Sequence, residues 1–87
     1  MVSKQVKITN KTGLHLRPAG VLSKIAGGCK SSVILIKGDK RVNAKSVLNV
    51  MSAQINVGDE IVVECEGESE ADDLQTIVEA IQSGLGE

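Results

Sequence analysis

The chain has 87 residues, room for one small domain, and no Phe, Tyr or Trp. Its core must therefore come from Val, Ile, Leu, Ala and Met, and functions that rest on aromatic stacking, such as sequence-tolerant single-strand binding, are disfavoured. A net charge of −1, with both signs mixed along the chain and a pI of about 5.8, gives no basis for binding duplex DNA or an anionic membrane.

The elements follow from periodicity. Gln5-Val6-Lys7-Ile8 alternates polar and apolar residues, which predicts a half-buried strand with Val6 and Ile8 inward. Thr9 to Gly13 is polar and predicts a loop. From Leu16 to Cys29 the apolar residues fall at helical spacing, with Ala19, Leu22, Ile25, Ala26 and Cys29 on one face. Pro18 fits a first helical turn and discourages helical angles at Arg17, so the helix starts within His15–Pro18. Gly27-Gly28 stops it.

Ser32 to Lys37 predicts a second strand, Val33 and Leu35 on one face and Ile34 and Ile36 on the other. The latter pair has no evident cover. Gly38-Asp39 suits a type II′ hairpin turn, and Lys40 to Asn43 returns with Val42 inward. Ser46 is a strong N-cap for a short helix from 47 to about 53, with Val50 and Ala53 inward. Val57-Gly58-Asp59 turns the chain into a strand from Glu60 to Glu66, with Ile61, Val63 and Cys65 on one face. Ser69-Glu70-Ala71-Asp72 predicts a capping box and an acidic first turn. The stripe Ala71, Leu74, Ile77, Val78, Ile81 predicts the last helix, which Gly84 ends, and only the final residues should fray.

Four half-apolar strands covered by three amphipathic helices predict an α+β fold, a two-layer sandwich with one sheet face open to water, formed by residues 1–87 as a single domain. No apolar run approaches the ~20 residues of a membrane span, and Met1-Val2-Ser3-Lys4 leads into an alternating segment rather than a signal peptide. The expectation is a soluble, cytoplasmic protein. Cys29 and Cys65 fit no CxxC or zinc spacing and are expected as reduced thiols packed as small hydrophobes, with no metal site.

Thr12-Gly13-Leu14-His15-Leu16-Arg17-Pro18-Ala19-Gly20 holds the only histidine and the only proline. A histidine at a helix start sits beside unpaired backbone N–H groups, which favour an anion and disfavour an imidazolium. Arg17 aimed at the same spot acts in the same sense. The ring would then offer a nucleophilic nitrogen, and a phosphoryl group on it would meet the N–H groups and the Arg17 fork. The residues alone leave open a plain helix-start histidine, and less readily a lone metal ligand or part of a hydrolytic triad.

Gly13-Leu14-His15-Leu16-Arg17-Pro18-Ala19 closely resembles the active-site signature of the HPr family, the histidine phosphocarriers of the bacterial phosphoenolpyruvate-dependent sugar phosphotransferase system. Asn43-Ala44-Lys45-Ser46-Val47-Leu48-Asn49-Val50-Met51-Ser52 resembles that family's regulatory-serine region, and the likeness spans the chain. The resemblance implies an HPr-like βαββαβα sandwich on a four-stranded antiparallel sheet. It also implies a stoichiometric phosphocarrier rather than an enzyme, without cofactor. His15 would take a phosphoryl group on Nδ1 from enzyme I and pass it to enzyme IIA domains, with Arg17 steadying the phosphate, Pro18 shaping the helix start and Thr12 helping to close the loop.

Ser46 would be the target of HPr kinase/phosphorylase, as in Gram-positive members, which the terminal Gly84-Leu85-Gly86-Glu87 resembles. The phosphoserine would then meet a catabolite-control transcription factor. An exposed patch of Leu16, Gly20, Val47, Leu48 and Met51, rimmed by Lys24 and Lys45, would dock partners of this monomer. The alternative is a non-transport regulatory protein acting through phospho-Ser46; known paralogues of that type lack the histidine. The chain departs from the family pattern at the bulky Leu16, at Gly20 inside a helix, at Gln54 where relatives end the second helix with Gly, and at Gly38-Asp39.

Overall fold

A computed structural model describes residues 1–86. The element order is β1 (Val2–Lys7), α1 (Leu16–Gly27), β2 (Ser32–Lys37), β3 (Lys40–Asn43), α2 (Val47–Ser52), β4 (Glu60–Glu66) and α3 (Glu70–Gln82). The sheet runs β1-β4-β2-β3, with every neighbouring pair antiparallel. β1 and β2 flank β4 and so run parallel to each other, which requires the crossover that α1 supplies. This is the α+β open-faced sandwich the pattern predicts. β1 begins three residues earlier than the alternation indicates, and α2 stops at Ser52 with Ala53 as its C-cap.

The helix-facing side of the sheet carries Val6, Ile61, Val33, Leu35, Val63 and Cys65, all buried, against Ala19, Leu22, Ala26, Val50, Ile77 and Ile81. The pairs Val6–Ile61, Val33–Cys65 and Leu35–Val63 stand directly opposite in register. Ile34 and Ile36, on the open face, are half-buried. Arg41 pairs with Ile36, and Glu64 with Ile34. The Arg41–Glu64 ion pair, 2.5 Å, therefore crosses β2 diagonally, so an arginine stem covers the two isoleucines. Gly38 takes φ 60° and Asp39 keeps a negative φ, the sign pattern of a type II′ turn.

Three expectations are corrected on α3. Ser69 is the N-cap residue, but its hydroxyl makes no capping bond; it donates to Asp73 Oδ2 at 2.8 Å, so the capping box does not form. Ala71 lies exposed rather than on the core stripe. Residues 84 and 85 are held rather than frayed: Gly84 N, at φ 89°, donates to Ile81 O and Leu85 N to Ala80 O, a Schellman closure that buries Leu85. Glu87 lies outside the described residues.

Candidate functional site

The loop before α1 is built on the α2–β4 connection. Ile8 N donates to Asp59 O and Gly58 N to Ile8 O, so the end of β1 is tied to residues 58–59. Asn10, buried, folds the turn by donating from Nδ2 to Gly13 O at 2.5 Å while Gly13 N donates to Asn10 O at 3.1 Å. Gly13 has φ 63°, and a Cβ there would sit 2.6 Å from Ile55 O. Only glycine lets the loop press this closely on residues 55–56. Leu14 N then donates to Ile55 O at 2.9 Å and its side chain enters the core. Asn10 escaped the sequence reading, which named Thr12 either as a helper in closing the loop or as a plain turn residue; an asparagine three residues before a turn glycine is the signal that marks it.

His15 follows as the N-cap of α1, with extended backbone (φ −81°, ψ −167°) and no side-chain capping bond. Its carbonyl accepts from Ala19 N at 2.8 Å. The imidazole is exposed and makes no hydrogen bond or ion pair among the described residues. Leu16 and Arg17 N–H lie in the first turn, where a helix has no acceptor for them, and Pro18 contributes none to satisfy. Pro18 is buried beneath the turn, and the Arg17 guanidinium is exposed and has no acidic partner among the described residues. The acidic residues that would compete for it are missing from this first turn. His15 thus stands between two hollows. One, of about 400 Å³, is lined by Thr12, Leu16, Arg17 and Pro18; the other, of about 390 Å³, by Leu14, Met51, Gln54, Ile55 and Asn56.

Leu16 is 68% exposed, Leu48 81% and Met51 37%, large apolar side chains left in water on adjoining α1 and α2. Leu16, Gly20 and Lys24 fall four residues apart along one stripe of α1. Val47 is half-buried and packs partly on the core. Lys45 does not rim this patch: its Nζ donates to Cys29 O at 3.2 Å, at the far end of α1. The Ser46 hydroxyl accepts from Asn49 N at 3.3 Å, capping α2 as expected.

A second polar cluster lies where α1, β2 and α3 meet, away from His15. The Ser31 hydroxyl beside Asp73, the Ser31 backbone N–H (2.9 Å) and the Ser69 hydroxyl hold the Asp73 carboxyl down at about 2. Cys29 and Cys65 are free thiols. Burial, with the Asp73 carboxylate nearby, raises both, Cys65 to about 11, so neither has thiolate character at neutral pH. No group of three His, Cys, Asp or Glu among the described residues could hold a metal ion.

The model of the PTS-HPr family, described as the PTS HPr component phosphorylation site, matches residues 2–83. The chain belongs to the HPr family. It is 41% identical over 70 residues to phosphocarrier protein HPr of Mycoplasma capricolum subsp. capricolum, covering 80% of this chain and 79% of that protein. It is 37% identical over 82 residues to the HPr-like protein Crh of Bacillus subtilis, covering 94% and 96%. The structure of HPr-C-His from Thermoanaerobacter tengcongensis superposes with a TM-score of 0.95 at 36% identity, covering 100% of this chain and 98% of that one. An HPr dimer from the same organism gives 0.79 at 36%, covering 100% of both. The function is accordingly that of an HPr phosphocarrier, a protein that works with the enzymes of the phosphotransferase system. Among the described residues no helix is long and apolar enough to cross a membrane.

Proposed function

We propose that His15 is the residue that carries the phosphoryl group, taking it from phosphorylated enzyme I and passing it to enzyme IIA domains. The observation that carries this reading is the imidazole of the N-cap residue, exposed beside the unfilled first-turn N–H groups and Arg17, with neither side chain paired among the described residues. In the loading step the Nδ1 lone pair attacks phosphorus. The new P–N bond forms as the donor's P–N bond breaks, and the donor imidazole leaves with its electron pair. Delivery is the same exchange with His15 as leaving group. No redox step and no cofactor enters, and the chain is a stoichiometric carrier without turnover of its own. Arg17 and the helix donors meet the dianion, each charge-assisted bond contributing about 1.5–3 kcal/mol where water is excluded. Pro18 fixes the helix start, and Leu16, Gly20, Lys24, Val47, Leu48 and Met51 form the docking face. Incubation with phosphoenolpyruvate and enzyme I should give an acid-labile adduct that His15→Ala abolishes. Labelling of that variant would move the site elsewhere.

Ser46 supports a second, regulatory reading alongside the first. It caps α2 two residues before the exposed Leu48, so a phosphate there is electrostatically tolerated by the helix start and places about 1.5–2 negative charges on the docking face. A kinase of the HPr kinase/phosphorylase type would write that mark, and a catabolite-control transcription factor would read it. A mobility shift with such a kinase and ATP, lost in Ser46→Ala, is the expected result. A shifted variant would remove the assignment. The presence of His15 favours the transport carrier over a purely regulatory protein. The setting is cytoplasmic.

A further inference from the structure

The hollow on the α2 side of His15 contains a donor that the phosphocarrier reading has not used. Gln54 lines it with His15, Met51 and Asn56. Its backbone is fixed: the carbonyl accepts from Lys37 Nζ at 2.6 Å and from Asn56 Nδ2 at 3.2 Å, and its N–H donates to Met51 O at 3.2 Å. The side chain is the opposite case. It is exposed, and its amide makes no hydrogen bond among the described residues. Asn56, the other amide on this wall, has one of its two N–H donors committed to Gln54 O. Gln54 also takes φ 53°, one of only two non-glycine residues among those described to do so. A glycine would end α2 there without strain, so the glutamine sits at this position at a conformational cost.

We propose that the Gln54 side-chain amide donates to the phosphoryl group on His15 from the α2 side, while Arg17 meets it from the other hollow. This rests on the reading of His15 as the phosphoryl acceptor. A phosphoryl group offers three oxygens, more than one guanidinium fork satisfies, and an amide NH₂ is a neutral donor suited to an anion. Its effect follows from where the charge sits. In hydrolysis a water oxygen bonds phosphorus, the P–Nδ1 bond breaks, and inorganic phosphate and free imidazole are released. The transition state is loose and resembles metaphosphate, with less charge on the equatorial oxygens than the bound dianion carries. A donor to those oxygens therefore holds the ground state more strongly and lengthens the lifetime of the phospho-form.

The test loads the intact chain with phosphoramidate, whose P–N bond breaks as the Nδ1–P bond forms and ammonia leaves. No partner protein is needed, so docking defects do not enter. Decay of the adduct is followed by ³¹P NMR at neutral pH in the wild type, Gln54→Gly and Gln54→Asn. Gln54→Gly removes the amide at a site where glycine is conformationally preferred, so it folds at least as well as the wild type. It should shorten the adduct half-life by on the order of tenfold, the factor one charge-assisted hydrogen bond carries. Gln54→Asn, which keeps an amide on a shorter stem, should recover part of it. A wild-type half-life in Gln54→Gly, with the adduct on His15, overturns this inference and leaves the His15 reading intact. A wild type whose adduct is absent or survives His15→Ala overturns both.

Discussion

A methyl group at Gly13 would lie 2.6 Å from Ile55 O and 2.7 Å from Asn56 Cα, in a backbone conformation at φ 63° that L-residues avoid. Neither neighbour is the far end of a flexible side chain, so the backbone itself must move. Gly13→Ala should destabilise the fold by about 3 kcal/mol, the upper part of the range for single substitutions, measured by urea denaturation followed by circular dichroism. A cost below about 1 kcal/mol would show that the loop re-forms elsewhere. Gln54 has the reverse sign. A left-handed conformation costs an L-residue about 1–2 kcal/mol, whereas glycine gives back about 0.5–1 kcal/mol in unfolded-chain entropy. Nothing crowds the opposite choice, because the bonds at residue 54 run through its backbone. Gln54→Gly should therefore raise stability by about 0.5–1 kcal/mol in the same assay, and a loss would mean that the side chain contributes to the fold.

At the scale of elements, Asp73 joins the first turn of α3 to the residue that precedes β2. Its carboxyl is held at about 2, against about 3.9 in an unfolded chain. A depressed carboxyl contributes stability that is present above the unfolded value and lost as pH falls through the folded one. The contribution should disappear between about pH 4 and pH 2. Asp59 and Glu70 are also lowered, by Asn56 N–H with Lys37 and by the terminal ammonium, so some acid sensitivity remains without Asp73. Denaturation midpoints of Asp73→Asn should fall less steeply than those of the wild type across that window, and parallel curves would contradict the assignment. The same contact explains what the sequence concealed. Alternation and helical spacing gave β2, β3 and β4 their full extents because those signals are local. The Ser69 capping box failed because the Asp73 that takes its hydroxyl is itself fixed by Ser31, 42 residues away in sequence. Likewise His15, Arg17, Ser46 and the exposed Leu48 and Met51 were legible as residue types in pattern. Gln54 and Asn56 became neighbours of His15 only through the α2–β4 connection folding under the first loop.

Across the whole molecule the site draws on the loop before α1, the exposed side of α2 and the connection into β4, all resting on one core. This leads to the expectation of one cooperative unit that acts alone. An HPr relative is described as a dimer, so the edges of this sheet bear on the question. β3 is an edge of only four residues and begins Lys40-Arg41; β1, the other edge, carries Lys4 and Lys7. Short or charged edges oppose strand-to-strand association. The apolar patch does not supply an alternative contact. Leu16, Leu48 and Met51 are three side chains, whereas a stable interface draws on about 20–30 residues from each partner. Sedimentation at about 200 µM should give the 9.1 kDa monomer, and a species of twice that mass would contradict it. Without an aromatic residue to report on tertiary structure, far-UV circular dichroism and the amide NMR signals of Leu14, Ile55 and Ile77 must be compared. Their urea transitions should coincide, as a single core requires. An earlier transition at Leu14 and Ile55 would mean that the His15 platform opens on its own, and the site would then be a unit separable from the sandwich that carries it.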